Sequence, residues 1–206
     1  MIALLGGTFD PVHVGHLTAA ESARQILGVS QVNLVLARQP YHKAQCEGAT
    51  TQQRWAMLEL ACKDHALLVA DDSELHHEGP SFTVDLLERR ATANPREMRC
   101  WVIGSDAFAP ILGWRRADDV FRLTNFLVFE RAGMESQFDA ALQAFIAPRA
   151  VASIRNDQHG QVLITRADLP DVSSSRIREM HRAGQSVSRW LSPAVLDFIR
   201  NNNLYV

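Results

Sequence analysis

Cysteine is scarce in this chain. Cys46, Cys62 and Cys100 are odd in number, far apart and never arranged as C-x-x-C. That spacing argues against a disulfide framework and suits a reducing compartment, with thiols that fill a core rather than ligate a metal. Long hydrophobic runs are also missing, and none approaches the ~18 residues that span a bilayer. The opening Met1-Ile2-Ala3-Leu4-Leu5-Gly6-Gly7 has no basic stretch, and its apolar run is too short for a signal peptide. The expectation is a cytoplasmic protein without membrane contact. An excess of positive charge is absent too: 21 Lys and Arg stand against 23 Asp and Glu, a formal net charge of −2. A domain-wide basic surface for nucleic acid is therefore not expected, although the balance permits a local basic pocket.

What is present suits a folded domain, with 47% apolar and 21% charged residues in 206. A chain of this length buries most of its apolar surface without disulfides or a structural metal. It shows no repeat, low-complexity tract or linker, so residues 1–206 read as one domain. Strands are expected over 2–5, 32–37, 67–70, 98–103, 126–129 and 161–165. Helices are expected over 15–27, 50–63, 82–93, 174–183 and 193–202, and more weakly over 137–147. Thr50 and Gln53 fit a capping box, with Trp55, Leu58 and Cys62 on one face; Ser192-Pro193 fits an N-cap followed by proline. Alternating strand and helix indicates an α/β, Rossmann-like doubly wound fold. Its sheet should be mostly parallel, with a short helical C-terminal region from about residue 171. Ligands in such sheets lie beyond the carboxyl ends of the strands, at the switch point.

The densest signal is Gly6-Gly7-Thr8-Phe9-Asp10-Pro11-Val12-His13-Val14-Gly15-His16. Paired glycines after a strand let backbone approach a ligand, and the following helix aims its free N–H groups and positive dipole end at the same spot. A phosphate fits there, with His13 and His16 placed beside it and Gly15 leaving room for a bulky group. Two histidines three apart could also be a metal pair or ordinary structural histidines, but the glutamate of H-E-x-x-H is missing. G-x-G-x-x-G is missing as well, which disfavours a nicotinamide-dependent dehydrogenase. Other positions keep two readings open. Asp106 can accept from ribose hydroxyls or cap a helix. Ser173-Ser174-Ser175 can cap a helix or meet phosphate. Trp114 can stack on a ring or pack in the core. His76-His77-Glu78 reads as surface.

The first block resembles the signature of nucleotidyltransferases that carry H-x-G-H, and the chain is similar nearly end to end to bacterial nicotinate mononucleotide adenylyltransferases. Pro40-Tyr41-His42-Lys43 stands where that family often has P-P-H-[KR], and Gln53-Arg54 with Met57-Leu58 matches the next helix. Pro80-Ser81-Phe82-Thr83 with Asp85 and Leu87 resembles P-S-[YF]-T-x-D-T-L. Gly104-Ser105-Asp106-Ala107-Phe108 with Trp114 resembles G-x-D-x-[FL] and its tryptophan. Val172-Ser173-Ser174-Ser175-Arg176-Ile177-Arg178 resembles I-S-[SA]-[ST]-x-I-R, and the Leu204-Tyr205 ending also fits. Tyr41, Phe82 and Ser175 depart from the commoner proline, tyrosine and threonine.

The resemblance implies transfer of the adenylyl group of ATP to nicotinate mononucleotide, with Mg²⁺ arriving on ATP and no protein metal site. It implies catalytic roles for His13, His16 and Arg178. ATP and its phosphates would be held by Gly7, Thr8, Phe9, Lys43, Gly104, Asp106, Ser174 and Ser175, and the mononucleotide by Thr83 and Trp114. A homo-oligomer is left open. Rivals are a relative preferring nicotinamide mononucleotide or another phosphate-bearing acceptor, a nucleotide-binding regulator without turnover, and a class I aminoacyl-tRNA synthetase fragment. The last would need a lysine-rich K-M-S-K-S-like loop, which is absent.

Overall fold

Strands rich in branched and aromatic residues build the sheet: β1 (Ile2–Gly7), β2 (Val32–Leu36), β3 (Leu68–Asp71), β4 (Arg99–Gly104), β5 (Asn125–Glu130) and β6 (Val162–Arg166). In this computed structural model, residues 1–39, 48–130 and 138–206 are described. Their strand order is β3-β2-β1-β4-β5-β6, and every neighbouring pair is parallel. The sheet is thus wholly rather than mostly parallel. A helix follows each of the first five strands and carries the chain back to the same edge, as parallel pairing requires.

Side chains alternate between two cores. Ala3 and Leu5 of β1 pack with Leu17 and Ala20 of α1 (Val14–Leu27) and with Met57 and Leu58 of α2 (Thr51–Lys63). Ile177 of α7 (Ser174–Arg182) and Ile199 of α8 (Pro193–Asn201) complete that face. Leu4 points the other way, into a core with Leu86 and Leu87 of α3 (Thr83–Ala93) and Phe121 of α5 (Ala117–Leu123). Leu142 of α6 (Ala140–Ile146) joins it. Helices on both faces explain why the strands read as nearly unbroken apolar runs.

Several ends follow the expected chemistry. Thr50 caps α2, accepting from the Gln53 N–H while its own N–H donates to Gln53 Oε1. Ser192 accepts from the Val195 N–H ahead of Pro193. Two segments differ. The helix expected over 137–147 runs from Ala140, with Asp139 as its cap, and residue 137 lies outside the described residues. Between β4 and β5, where no helix was expected, stand α5 and the single turn α4 (Ser105–Phe108). No helix among the described residues is long and apolar enough to cross a membrane.

Candidate active site at the switch point

β1 lies between β2 and β4, and the order reverses there, so a crevice opens beyond the ends of β1 and β4. The first block fills it. His13, only 5% exposed, is the N-cap of α1, and its backbone N–H donates to His16 Nδ1 at 3.2 Å. The bond fixes the tautomer of His16: Nδ1 accepts, so the neutral ring carries its proton on Nε2. The two imidazoles stack with centroids 3.8 Å apart, and Phe9 meets His16 edge-on at 5.0 Å. His13 Nδ1 is buried without a hydrogen-bond partner among the described residues.

Burial pushes His13 down to about 4, and burial together with the neighbouring His13 holds His16 well below the usual histidine value. Both rings are therefore neutral at pH 7 in the free protein. The sign of the consequence is definite. Below the unfolded value of 6.5 the unfolded chain binds a proton that folded His13 refuses, so stability is lost as pH falls toward 4. Denaturant titration at pH 7 and pH 5 should show His13 costing about 2 kcal/mol over that interval. The pH dependence should flatten by that amount in His13→Gln, and an unchanged dependence would remove the buried neutral ring from this account.

The glycines of the block serve protein packing as much as any ligand. A Cβ on Gly6 would lie 2.3 Å from the Trp101 ring, and one on Gly7 would lie 2.7 Å from the Phe9 ring. Phe9, at φ 49°, holds a left-handed conformation with its ring buried. The room expected beside Gly15 is taken up by the His13 ring and Val172. This contact brings the first and last sequence blocks together.

α7 starts against the same loop. Ser173 is its cap, accepting from the Arg176 N–H, while the Ser174 hydroxyl donates to the Pro11 carbonyl at 2.9 Å. Capping thus falls to Ser173, and Ser174 anchors the motif loop. Ser175 Oγ accepts from Arg178 Nη2 at 3.3 Å, and Arg178 Nη1 donates to the Asp10 carbonyl at 2.7 Å. Arg178 and Ser175 therefore stand beside the loop that carries the histidines.

Across Gly7 and Thr8 lies a cavity of about 300 Å³ with a largely apolar lining. Its walls include Thr83 and Phe82 at the start of α3, Trp101, Trp114 and Arg115. Arg115 lies over the Phe82 ring at 4.6 Å. Phe82 is the N-cap residue of α3 and makes no side-chain cap hydrogen bond there. Glu74 also lines the cavity, buried and paired with Arg89. Gly104 ends β4 and caps α4, so Asp106 sits exposed within the first turn of that helix rather than at its cap. Lys43 lies outside the described residues.

Three residues that the sequence blocks contain, but to which the sequence assigned no role, organise this site. Asp10 is buried and binds the Ala49 N–H at 3.0 Å and the Tyr205 hydroxyl at 2.7 Å. Burial and the bond to Asp10 push the Tyr205 phenol well up, which keeps it a donor. Arg54, 2% exposed, donates to the carbonyls of Thr8, Ala37 and Arg38, each at 2.8 Å. Its signal was legible: a charged residue sharing the helical face of Met57, Leu58 and Ala61.

The chain is similar to known proteins in sequence and in fold. The profile of the cytidylyltransferase-like family matches residues 4–180. A protein of Halorhodospira halophila named "Probable nicotinate-nucleotide adenylyltransferase" is 36% identical over 198 residues, covering 94% of this chain and 90% of its own. One of the same name from Pectobacterium atrosepticum is 32% identical over 210 residues, covering 100% of this chain and 98% of its own. The fold is shared with Plasmodium falciparum nicotinic acid mononucleotide adenylyltransferase complexed with NaAD, at a TM-score of 0.77 and 18% identity, covering 99% of this chain and 96% of that one. The chain belongs to the cytidylyltransferase-like family and, within it, to the nicotinate-nucleotide adenylyltransferases.

Proposed function

We propose that the protein joins nicotinate mononucleotide to the α-phosphorus of ATP, releasing pyrophosphate and forming nicotinate adenine dinucleotide. A phosphate monoester has its second pKa near ~6, so the mononucleotide is largely dianionic at pH 7 and needs no general base. Its oxygen attacks in line, the bond to the α-phosphorus forms, the bond to the β-bridging oxygen breaks, and pyrophosphate leaves. No covalent enzyme intermediate is required. The protein has to align two anions and stabilise charge on the oxygens around the α-phosphorus.

The observation that carries this reading is one of adjacency. A face rich in hydrogen-bond donors (His16 Nε2, Arg178 and the start of α7) and an aromatic cavity meet along Gly7–Phe9. In this reading His16 donates to the α-phosphate and His13 lies beside it on the triphosphate. Backbone N–H groups of Gly7, Thr8 and Phe9 hold phosphate, while Ser175 and Arg178, with Ser174 behind them, receive the β- and γ-phosphates. Lys43 adds a phosphate contact, and Gly104 and Asp106 take the ribose. On the other side Trp114 faces the pyridine ring, and the first turn of α3 at Thr83 takes the nicotinate carboxylate. Mg²⁺ enters with ATP, held mainly by phosphate oxygens and water.

Incubation with ATP, Mg²⁺ and each pyridine mononucleotide, following pyrophosphate, tests the proposal. Pyrophosphate should appear fastest with nicotinate mononucleotide. None with either acceptor would overturn the reaction, and faster turnover of the amide would overturn the acid preference alone.

A further inference from the structure

Asp10 is the point where separate stretches of chain meet, yet it touches no expected substrate position. Its carboxylate is buried, and Oδ1 accepts both from the Ala49 N–H at 3.0 Å and from the Tyr205 hydroxyl at 2.7 Å. Gly48 lies so close that a Cβ there would be 1.9 Å from Oδ2. That same Oδ2 stands 3.8 Å from Arg178 Nη1, which instead donates to the Asp10 backbone carbonyl. With the bond from Nη2 to Ser175, two of the five guanidinium N–H donors are committed among the described residues.

We propose that Tyr205, acting through Asp10, is a positioning residue for Arg178: a phenol hydroxyl sets the direction of a guanidinium almost thirty residues before it. The inference rests on the role assigned above to Arg178 at the ATP phosphates. A carboxylate and a phosphate compete for the same donors, and a carboxylate free to turn would form a bidentate pair with the guanidinium. Two bonds on Oδ1 prevent that turn. Asp10 is kept at 3.8 Å, near enough to compensate charge and too far to capture the fork. Removing the Tyr205 hydroxyl releases one of those bonds, and Asp10 then closes on Arg178 and withdraws N–H groups from the phosphates.

The test is a double-mutant cycle on the full chain, read as the Kd for Mg·ATP by calorimetry and as kcat with ATP and nicotinate mononucleotide. Tyr205→Phe keeps the buried ring and deletes only the donor. In the wild-type background it should weaken ATP binding or lower kcat by about tenfold, and in an Arg178→Ala background by less than twofold. A hydroxyl that merely stabilises the fold would act alike in both backgrounds, so equal effects would overturn the proposal, as would a change below twofold in the wild type. If the wild type binds ATP but yields no pyrophosphate, the reaction assigned above fails while the cycle is still decided on Kd. Absence of ATP binding by the wild type would overturn both.

Discussion

His16→Ala should lower kcat by about 10²–10³-fold, the loss expected when one preorganised donor to a transition-state oxygen is removed. The KM for ATP should change by less than threefold, because the donor is asked to act on charge that develops during transfer rather than on bound ATP. The geometry supports a donor and not a base. His16 Nδ1 is occupied by the His13 N–H, so a proton rests on Nε2 even in the neutral ring. Burial holds both imidazoles neutral before substrate arrives, and their stacking at 3.8 Å opposes two charges at once. Steady-state kinetics with His16→Ala, His16→Gln and the wild type decide the matter. A kcat loss under threefold would remove His16 from the transition state, and a change confined to KM would reassign it to ground-state binding.

The architecture was legible because its signals are local and repeated. Apolar runs closed by glycine, capping residues at 50 and 192, and helical periods between the runs all agree with the six-stranded sheet among the described residues. The segment between β4 and β5 was not legible. α4 is a single turn capped by Gly104, and the N-cap of α5 is Arg116 with φ 53°, a conformation no sequence rule assigns to arginine. The site divides in the same way. Histidines next to a strand end announce themselves, whereas Asp10 and Tyr205 act through a contact between residues 195 positions apart. The paired glycines carry a further lesson. Their sequence reading was close approach of a ligand; both line the cavity, and within the protein a Cβ at Gly6 or Gly7 would meet the rings of Trp101 and Phe9. Small residues at a strand end report that something comes near, without saying whether it is substrate or protein.

Arg54→Met should be the most destabilising single change near the site, lowering the melting temperature by about 10 °C. Arg54 lies 2% exposed on α2, and its guanidinium binds three main-chain carbonyls at 2.8 Å and the Thr51 hydroxyl at 3.1 Å. Thr8 belongs to the β1–α1 loop, whereas Ala37 and Arg38 follow β2, so one side chain ties two strand ends that flank the crevice. Two effects oppose each other in the variant. Deleting a buried cation relieves its desolvation cost, which runs to several kcal/mol in a protein interior. Against that, three half-buried carbonyls lose a charged donor, at about 1–3 kcal/mol each, and only that of Arg38 also accepts from the Thr51 hydroxyl. The lost charged bonds outweigh that relief, which leaves a net cost of about 3 kcal/mol. For a chain of this size each kcal/mol is worth about 2–4 °C, which sets the expected shift. Arg54→Lys should recover only part of it, since one ammonium cannot span three carbonyls as a planar fork does. Scanning calorimetry of the three proteins separates the outcomes. A methionine variant within 2 °C of the wild type would mean that the two strand ends hold their positions without Arg54.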